Sequence, residues 1–205
     1  MLEVRNLGCV RGDRRLFSDV NFGLSPGSFL QVQGPNGSGK TSLLRLICGL
    51  LAPAEGEIRW QGANIHSLGE DYFNSLSYIG HRSGLKEELT PIENLRVTSG
   101  LAGTQLSQQQ ATSVLGKIGL SGREHLPARL LSQGQRRRTA LARLLTSETS
   151  LWVLDEVLTS LDSSAVRFVT SLIEEHLNKD GIAVVATHHE LDLSADSYQR
   201  LDLAS

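Results

Sequence analysis

The sequence predicts an α/β fold, a mostly parallel sheet covered by helices. Three observations predict it. The runs 151–154 and Ile182–Ala186 are short, apolar and without polar alternation, as strands buried on both faces are. A helical pattern beginning near Ser163 separates them, and strand, helix, strand is how a parallel sheet is built. A third run, 28–33, ends in a glycine-rich loop, after which Leu43, Leu44, Ile47 and Leu50 recur at helical spacing.

The other elements follow in order. Residues 2–7 alternate like a strand, and 15–24 can hold another. Ser25-Pro26-Gly27 is a turn, and Gly49 is placed to end the helix after the loop. Residues 56–60 and 76–79 are short strand candidates. Between about 84 and 129 strand-like runs vanish and glutamine, serine and helix formers take over, which predicts a helical insertion. A helix begins near Ser132.

Length and charge bound the rest. At 205 residues and 22.3 kDa the chain fits one domain, 1–205, with the insertion inside it. No apolar run reaches the roughly 18 residues of a membrane helix. The first residues carry no signal-peptide core, so a cytosolic protein is expected. A net charge of −2 offers no global field for nucleic acid, and none is expected as a partner. Cys9 and Cys48 have no CxxC spacing, so neither a disulfide framework nor a zinc site is expected, and Cys48 reads as a small buried hydrophobe. Arg136-Arg137-Arg138 reads as a solvated helix face.

The chemistry starts at Gly34-Pro35-Asn36-Gly37-Ser38-Gly39-Lys40-Thr41, which fits G-x-x-x-x-G-K-[ST]. Glycines let the backbone wrap a phosphate chain, and the helix after the loop presents its positive end there. The amides of Gly37 to Thr41 are expected to face the β-phosphate. Lys40 would bridge the β- and γ-phosphates, and the Thr41 hydroxyl would ligate Mg²⁺. A dinucleotide fingerprint needs a third glycine or alanine where Ser42 stands. ATP or GTP binding follows, which alone leaves kinases, GTPases, helicases and transport ATPases open.

A second carboxylate site is needed near the metal, and Asp155-Glu156 supplies it at the carboxyl end of the 151–154 run, where open α/β sheets bind ligands. Strand alternation would send Asp155 toward the metal and Glu156 toward an attacking water, as general base. After the last apolar strand comes Thr187-His188-His189, and His188 is placed to donate to a γ-phosphate. Ser132 and Gln135 form a capping box for the helix that follows.

The order GPNGSGKT, LSQGQ, LWVLDE, SLD and TH resembles the nucleotide-binding subunits of the ABC transporter family, over essentially the whole chain. The resemblance implies a P-loop ATPase with a mostly parallel core sheet, an N-terminal antiparallel β-subdomain and a helical subdomain near 84–129. It implies a head-to-tail homodimer in the ATP-bound state, with Leu131, Ser132, Gln133, Gly134 and Gln135 of one subunit capping ATP on the other's phosphate loop. By the same resemblance Glu156 is the base, Asp155 and Thr41 serve Mg²⁺, His188 meets the γ-phosphate, and Ser160-Leu161-Asp162 is the loop that communicates across the dimer. Integral membrane subunits are the implied partners, at the cytoplasmic face of the bacterial inner membrane.

Three positions depart from the family pattern. His81 stands where a glutamine usually coordinates Mg²⁺ and senses the membrane subunit, and a neutral imidazole is also a ligand. Arg11 falls where an aromatic usually stacks on adenine, and a guanidinium plane can also stack. Val157 replaces the proline that commonly follows the catalytic glutamate. Within the family, the stretches Tyr78 to Lys86 and Gly39 to Arg45, with Glu88-Leu89-Thr90 and Glu93-Asn94-Leu95, are similar to the haem-exporter ATPase of bacterial cytochrome c maturation. That resemblance implies a role in haem export or in release of a haem-loaded chaperone. No direct haem site is evident, since no CxxCH is present. The competing readings are an ATPase serving another cargo and a nucleotide-gated interaction module with little turnover.

Overall fold

The computed structural model describes residues 1–193 and 197–203. It divides into two units: Met1–Tyr78 with Thr149–Glu156 and Thr170–Ser205, and Ile79–Glu148 with Val157–Val169. The expected domain 1–205 runs over both, and its residues 194–196, 204 and 205 lie outside the described ones.

In the first unit β1 (Leu2–Arg11) and β2 (Arg14–Leu24) form one long antiparallel hairpin, longer than the alternation of 2–7 predicts. Register shifts between Val4 and Leu7, and again between Leu7 and Cys9 and between Cys9 and Val10, explain why. At such irregularities the inside–outside alternation slips, so Leu7, Gly8 and Cys9 are buried consecutively. β4 (Glu55–Trp60) joins the other edge of β1, and β5 (Ala63–Asn64) follows, giving the order β2-β1-β4-β5.

The second sheet has the order β6-β7-β8-β3-β9. It comprises β3 (Ser28–Gln33), β6 (Leu76–Ile79), β7 (Leu151–Asp155), β8 (Ile182–Ala186) and β9 (Ser197–Asp202). β7 pairs β8, β8 pairs β3 and β3 pairs β9, all parallel. Every residue of β7 and β8 is buried, which is why their sequences read as unbroken apolar runs. α1 (Lys40–Ile47) buries Leu43, Leu44, Leu46 and Ile47 in one cluster with Leu30, Val32, Val153 and Val184. α2 (Ile65–Leu68) and α3 (Glu70–Ser75) bring buried Ile65 and Tyr72 to that cluster. Cys9 and Cys48 are buried free thiols, and burial pushes both up in pKa, away from reactivity.

The second unit is helical. α4 (Pro91–Leu101), α5 (Gln108–Lys117) and α6 (Gln133–Leu141) each start on a capping box: Thr90 with Glu93, Ser107 with Gln110, and Ser132 with Gln135. Each box satisfies two backbone donors the helix start leaves over. Buried Asn94 binds the amide and carbonyl of Lys86 and the carbonyls of Leu89 and Thr90, fixing the loop that leads into α4. The unit takes in 84–129 and extends past it on both sides. α7 (Ser163–Leu177) leaves this unit and ends in the first.

Candidate nucleotide-binding site

The phosphate loop joins β3 to α1. Gly39 is the N-cap of α1 with φ 106°, a left-handed backbone only glycine holds without strain. A Cβ there would also stand 3.0 Å from the Phe17 ring and 3.2 Å from Leu16. The β1–β2 hairpin thus lies against the loop through β2. Arg11, at the exposed end of β1 opposite Arg14, is on that same hairpin. Within the loop the Ser38 amide donates to the Pro35 carbonyl at 3.2 Å. That amide closes a turn here, a difference from the expectation that all amides of Gly37 to Thr41 face a phosphate.

Lys40 is 7% exposed, and its Nζ donates to the Gly34 carbonyl at 2.7 Å and the Pro35 carbonyl at 3.4 Å. A buried ammonium must be satisfied, and here the loop's own carbonyls do it. The same Nζ lies 3.3 Å from His188 Nε2. An ammonium carries only donors, so the imidazole offers Nε2 to it as an acceptor.

Thr41 Oγ1 donates to Asp155 Oδ2 at 2.9 Å, joining the loop to the end of β7. Asp155 is 1% exposed, and its Oδ1 is buried without a hydrogen-bond partner. An unpaired buried carboxylate oxygen is costly, and a hydroxyl and a carboxylate are the hard oxygen donors Mg²⁺ prefers. These residues fit the ion. Ser38 Oγ, in the loop itself, is also buried without a partner.

Glu156 departs from the alternation expected of it. β7 ends at Asp155, and Glu156 has φ 52°, outside the strand region. Its amide still donates to the Ala186 carbonyl at 2.9 Å, so the ladder reaches it while its side chain is re-aimed by the turn. The carboxylate stands 3.5 Å from His188 Nε2. Lys40, Glu156 and His188 therefore converge from α1, the end of β7 and the loop after β8.

The second unit holds the LSQGQ segment. Ser132 Oγ accepts from the Gln135 amide at 3.2 Å, and Gln135 Oε1 accepts from the Ser132 amide at 2.9 Å. The hydroxyl proton of Ser132 takes no part in either bond. Ser132→Ala is expected to lower stability by about 1 kcal/mol through the lost cap; an unchanged urea midpoint would contradict it. A Cβ on Gly134 would stand 2.9 Å from the Ser160 carbonyl, so only glycine lets LSQGQ and SLD approach this closely. Leu131 is buried, while Ser132 and Gln133 are exposed. Asp162 accepts from the Ala165 amide at 2.8 Å and the Ser164 hydroxyl at 2.6 Å, caps α7 and pairs with Arg138. These contacts, the Ser164 bond first, hold its carboxyl below the usual range.

The arginine run is not a solvated face. Arg137 is 6% exposed and donates to the Gly80 and His81 carbonyls at 2.9 and 2.7 Å. Arg136 binds the Leu131 and Arg129 carbonyls and Glu87. Helical periodicity spreads three adjacent side chains around α6, so each meets a different partner. His81, exposed, lines a groove of about 470 Å³ with Arg82, Glu87, Gln133 and Arg136. Val157 is fully buried.

Comparison with known proteins places the chain. Residues 17–159 match the ABC transporter family. The chain is 58% identical over 202 residues to the cytochrome c biogenesis ATP-binding export protein CcmA of Nitrosospira multiformis, covering 98% of each. Among solved structures, a putative ABC transporter ATP-binding protein from Pyrococcus furiosus superposes with TM-score 0.83 at 26% identity, covering 98% of this chain and 96% of that one. The ATP-binding cassette MJ0796, a dimer in a post-hydrolysis state bound to ADP and Pi, gives TM-score 0.80 at 25% identity, covering 92% and 88%.

Proposed function

The chain belongs to the ABC transporter family, and from that premise we propose that it is the ATP-hydrolysing subunit of a membrane complex serving cytochrome c biogenesis, powering haem export or release of a haem-loaded chaperone. It is an ABC-type ATPase. The observation that carries the activity is the convergence of Lys40, Glu156 and His188 beside the Thr41–Asp155 hydrogen bond. The cytochrome c role is supported by the 58% identity to a protein bearing that name.

In this reading Lys40 leaves the loop carbonyls to meet the β- and γ-phosphates, and Gly34, Pro35, Asn36, Gly37, Ser38, Gly39 and Ser42 form the cradle around them. The exposed Arg11 guanidinium stacks on the base. Thr41 and Asp155 hold Mg²⁺, which when bound neutralises phosphate charge. Glu156 accepts the proton of the attacking water. His188 Nε2, an acceptor toward Lys40, turns donor toward the γ-phosphate, so its proton must sit on that nitrogen in the ATP-bound state. The free Ser132 proton and the amides at the start of α6, with Leu131, Gln133, Gly134 and Gln135 framing them, cap the ATP of a second copy. Ser160, Leu161 and Asp162 pass that contact on. His81, exposed on its groove in the second unit, is the residue that senses the membrane subunit.

No helix among the described residues is long and apolar enough to cross a membrane. Attachment to the inner membrane then runs through integral subunits. Deleting the gene should abolish mature c-type cytochromes, and a tagged chain should copurify with hydrophobic subunits from detergent-solubilised membranes. Normal c-type cytochromes in the deletion strain, with hydrophobic partners still recovered, would assign the ATPase to another cargo.

A further inference from the structure

A glutamine inside a buried strand needs a reason. Gln31, in β3 between Val185 of β8 and Arg200 of β9, has no exposed surface. Burying an amide without partners is unfavourable, and this one has a full set. Its Nε2 donates to the His189 carbonyl at 3.0 Å and the Thr187 carbonyl at 3.3 Å. Its Oε1 accepts from the Tyr198 hydroxyl of β9. The two carbonyls flank His188 in the chain, so one side chain grips the loop on both sides of that histidine.

The rest of the loop is pinned from the same strand. The Thr187 amide donates to the Val32 carbonyl at 3.4 Å, and the Thr187 hydroxyl accepts from the His189 amide at 3.0 Å. Tyr198 is itself seated, its ring 5.1 Å from Phe29 and beneath the Arg200 guanidinium. His188, by contrast, has an exposed side chain, approached among the described residues by Lys40 and Glu156. Its aim therefore follows its backbone, and Gln31 is the side chain that grips that backbone on both sides of it.

We propose that Gln31, backed by Tyr198, is the positioning residue that holds His188 toward the γ-phosphate, so that the edge strand β9 bears on the rate of hydrolysis. The proposal rests on the reading of His188 as the γ-phosphate contact. It separates rate from affinity: the phosphate loop holds ATP without Gln31, while the transition state needs His188 aimed.

The test uses the full chain purified with its membrane partners. Gln31→Met keeps the volume and removes the donors; kcat should fall about five- to tenfold with the KM for ATP within about twofold. Tyr198→Phe keeps the ring and removes one hydroxyl, and should lower kcat about two- to threefold, carrying the test should Gln31→Met fail to fold. In a His188→Ala background, Gln31→Met should change the residual rate no further. Native kcat in both variants, a change in KM alone, or an equal loss with and without His188 would overturn the proposal. Native turnover by His188→Ala alone would overturn the reading beneath it instead.

Discussion

Glu156→Gln is expected to lower ATP turnover about a thousandfold while ATP binding stays near native, the size of effect a positioned general base contributes. Glutamine keeps the shape and hydrogen-bonding span of glutamate and loses only the capacity to take a proton. The left-handed turn at Glu156 does not depend on the charge, and its amide contact to Ala186 is a backbone one. The variant should therefore fold, bind ATP and stop there. Stalled before hydrolysis, it should also accumulate as an ATP-dependent dimer, visible by light scattering with MgATP and absent with ADP. Turnover within about tenfold of native would mean that Glu156 is not the base. His188, 3.5 Å away, would then be the group to test.

That prediction also shows where sequence reading ends. The phosphate loop was legible because its chemistry depends on spacing along the chain: Gly39, Lys40 and Thr41 are neighbours in both sequence and space. β7 and β8 were legible because burial on both faces leaves an unbroken apolar run, and β3 because it leads into the glycine-rich loop. Asp155 was legible as the last residue of one of them. The aim of Glu156 was not, because a left-handed backbone at a non-glycine residue is imposed by the fold around it. Gln31 was hidden for a different reason. One polar residue in Phe29-Leu30-Gln31-Val32 reads as ordinary alternation, and its partners are 156 to 167 residues away. β9 escaped because an edge strand half open to water, such as Ser197–Asp202, carries no apolar run. The arginine run misled because consecutive letters suggest one surface, whereas α6 sends them to different partners, one of them buried.

The second large effect is expected at Lys40. Lys40→Ala and Lys40→Met should each weaken ATP binding about a hundredfold, since charge-assisted hydrogen bonds to phosphate contribute roughly 1.5–3 kcal/mol apiece and the lysine would make more than one. The methionine variant matters because the lysine stem is buried, and Met fills that space without the charge. If both variants lose affinity equally, the ammonium is responsible; if only alanine does, the loss is packing. Calorimetric titration with ATP and with ADP separates the phosphates. A lysine that bridges β and γ should show the larger loss with ATP. Affinity within about threefold of native in Lys40→Met would mean that the nitrogen serves the loop carbonyls Gly34 and Pro35 rather than nucleotide. In that event thermal stability should fall instead, because those carbonyls would lose their donor.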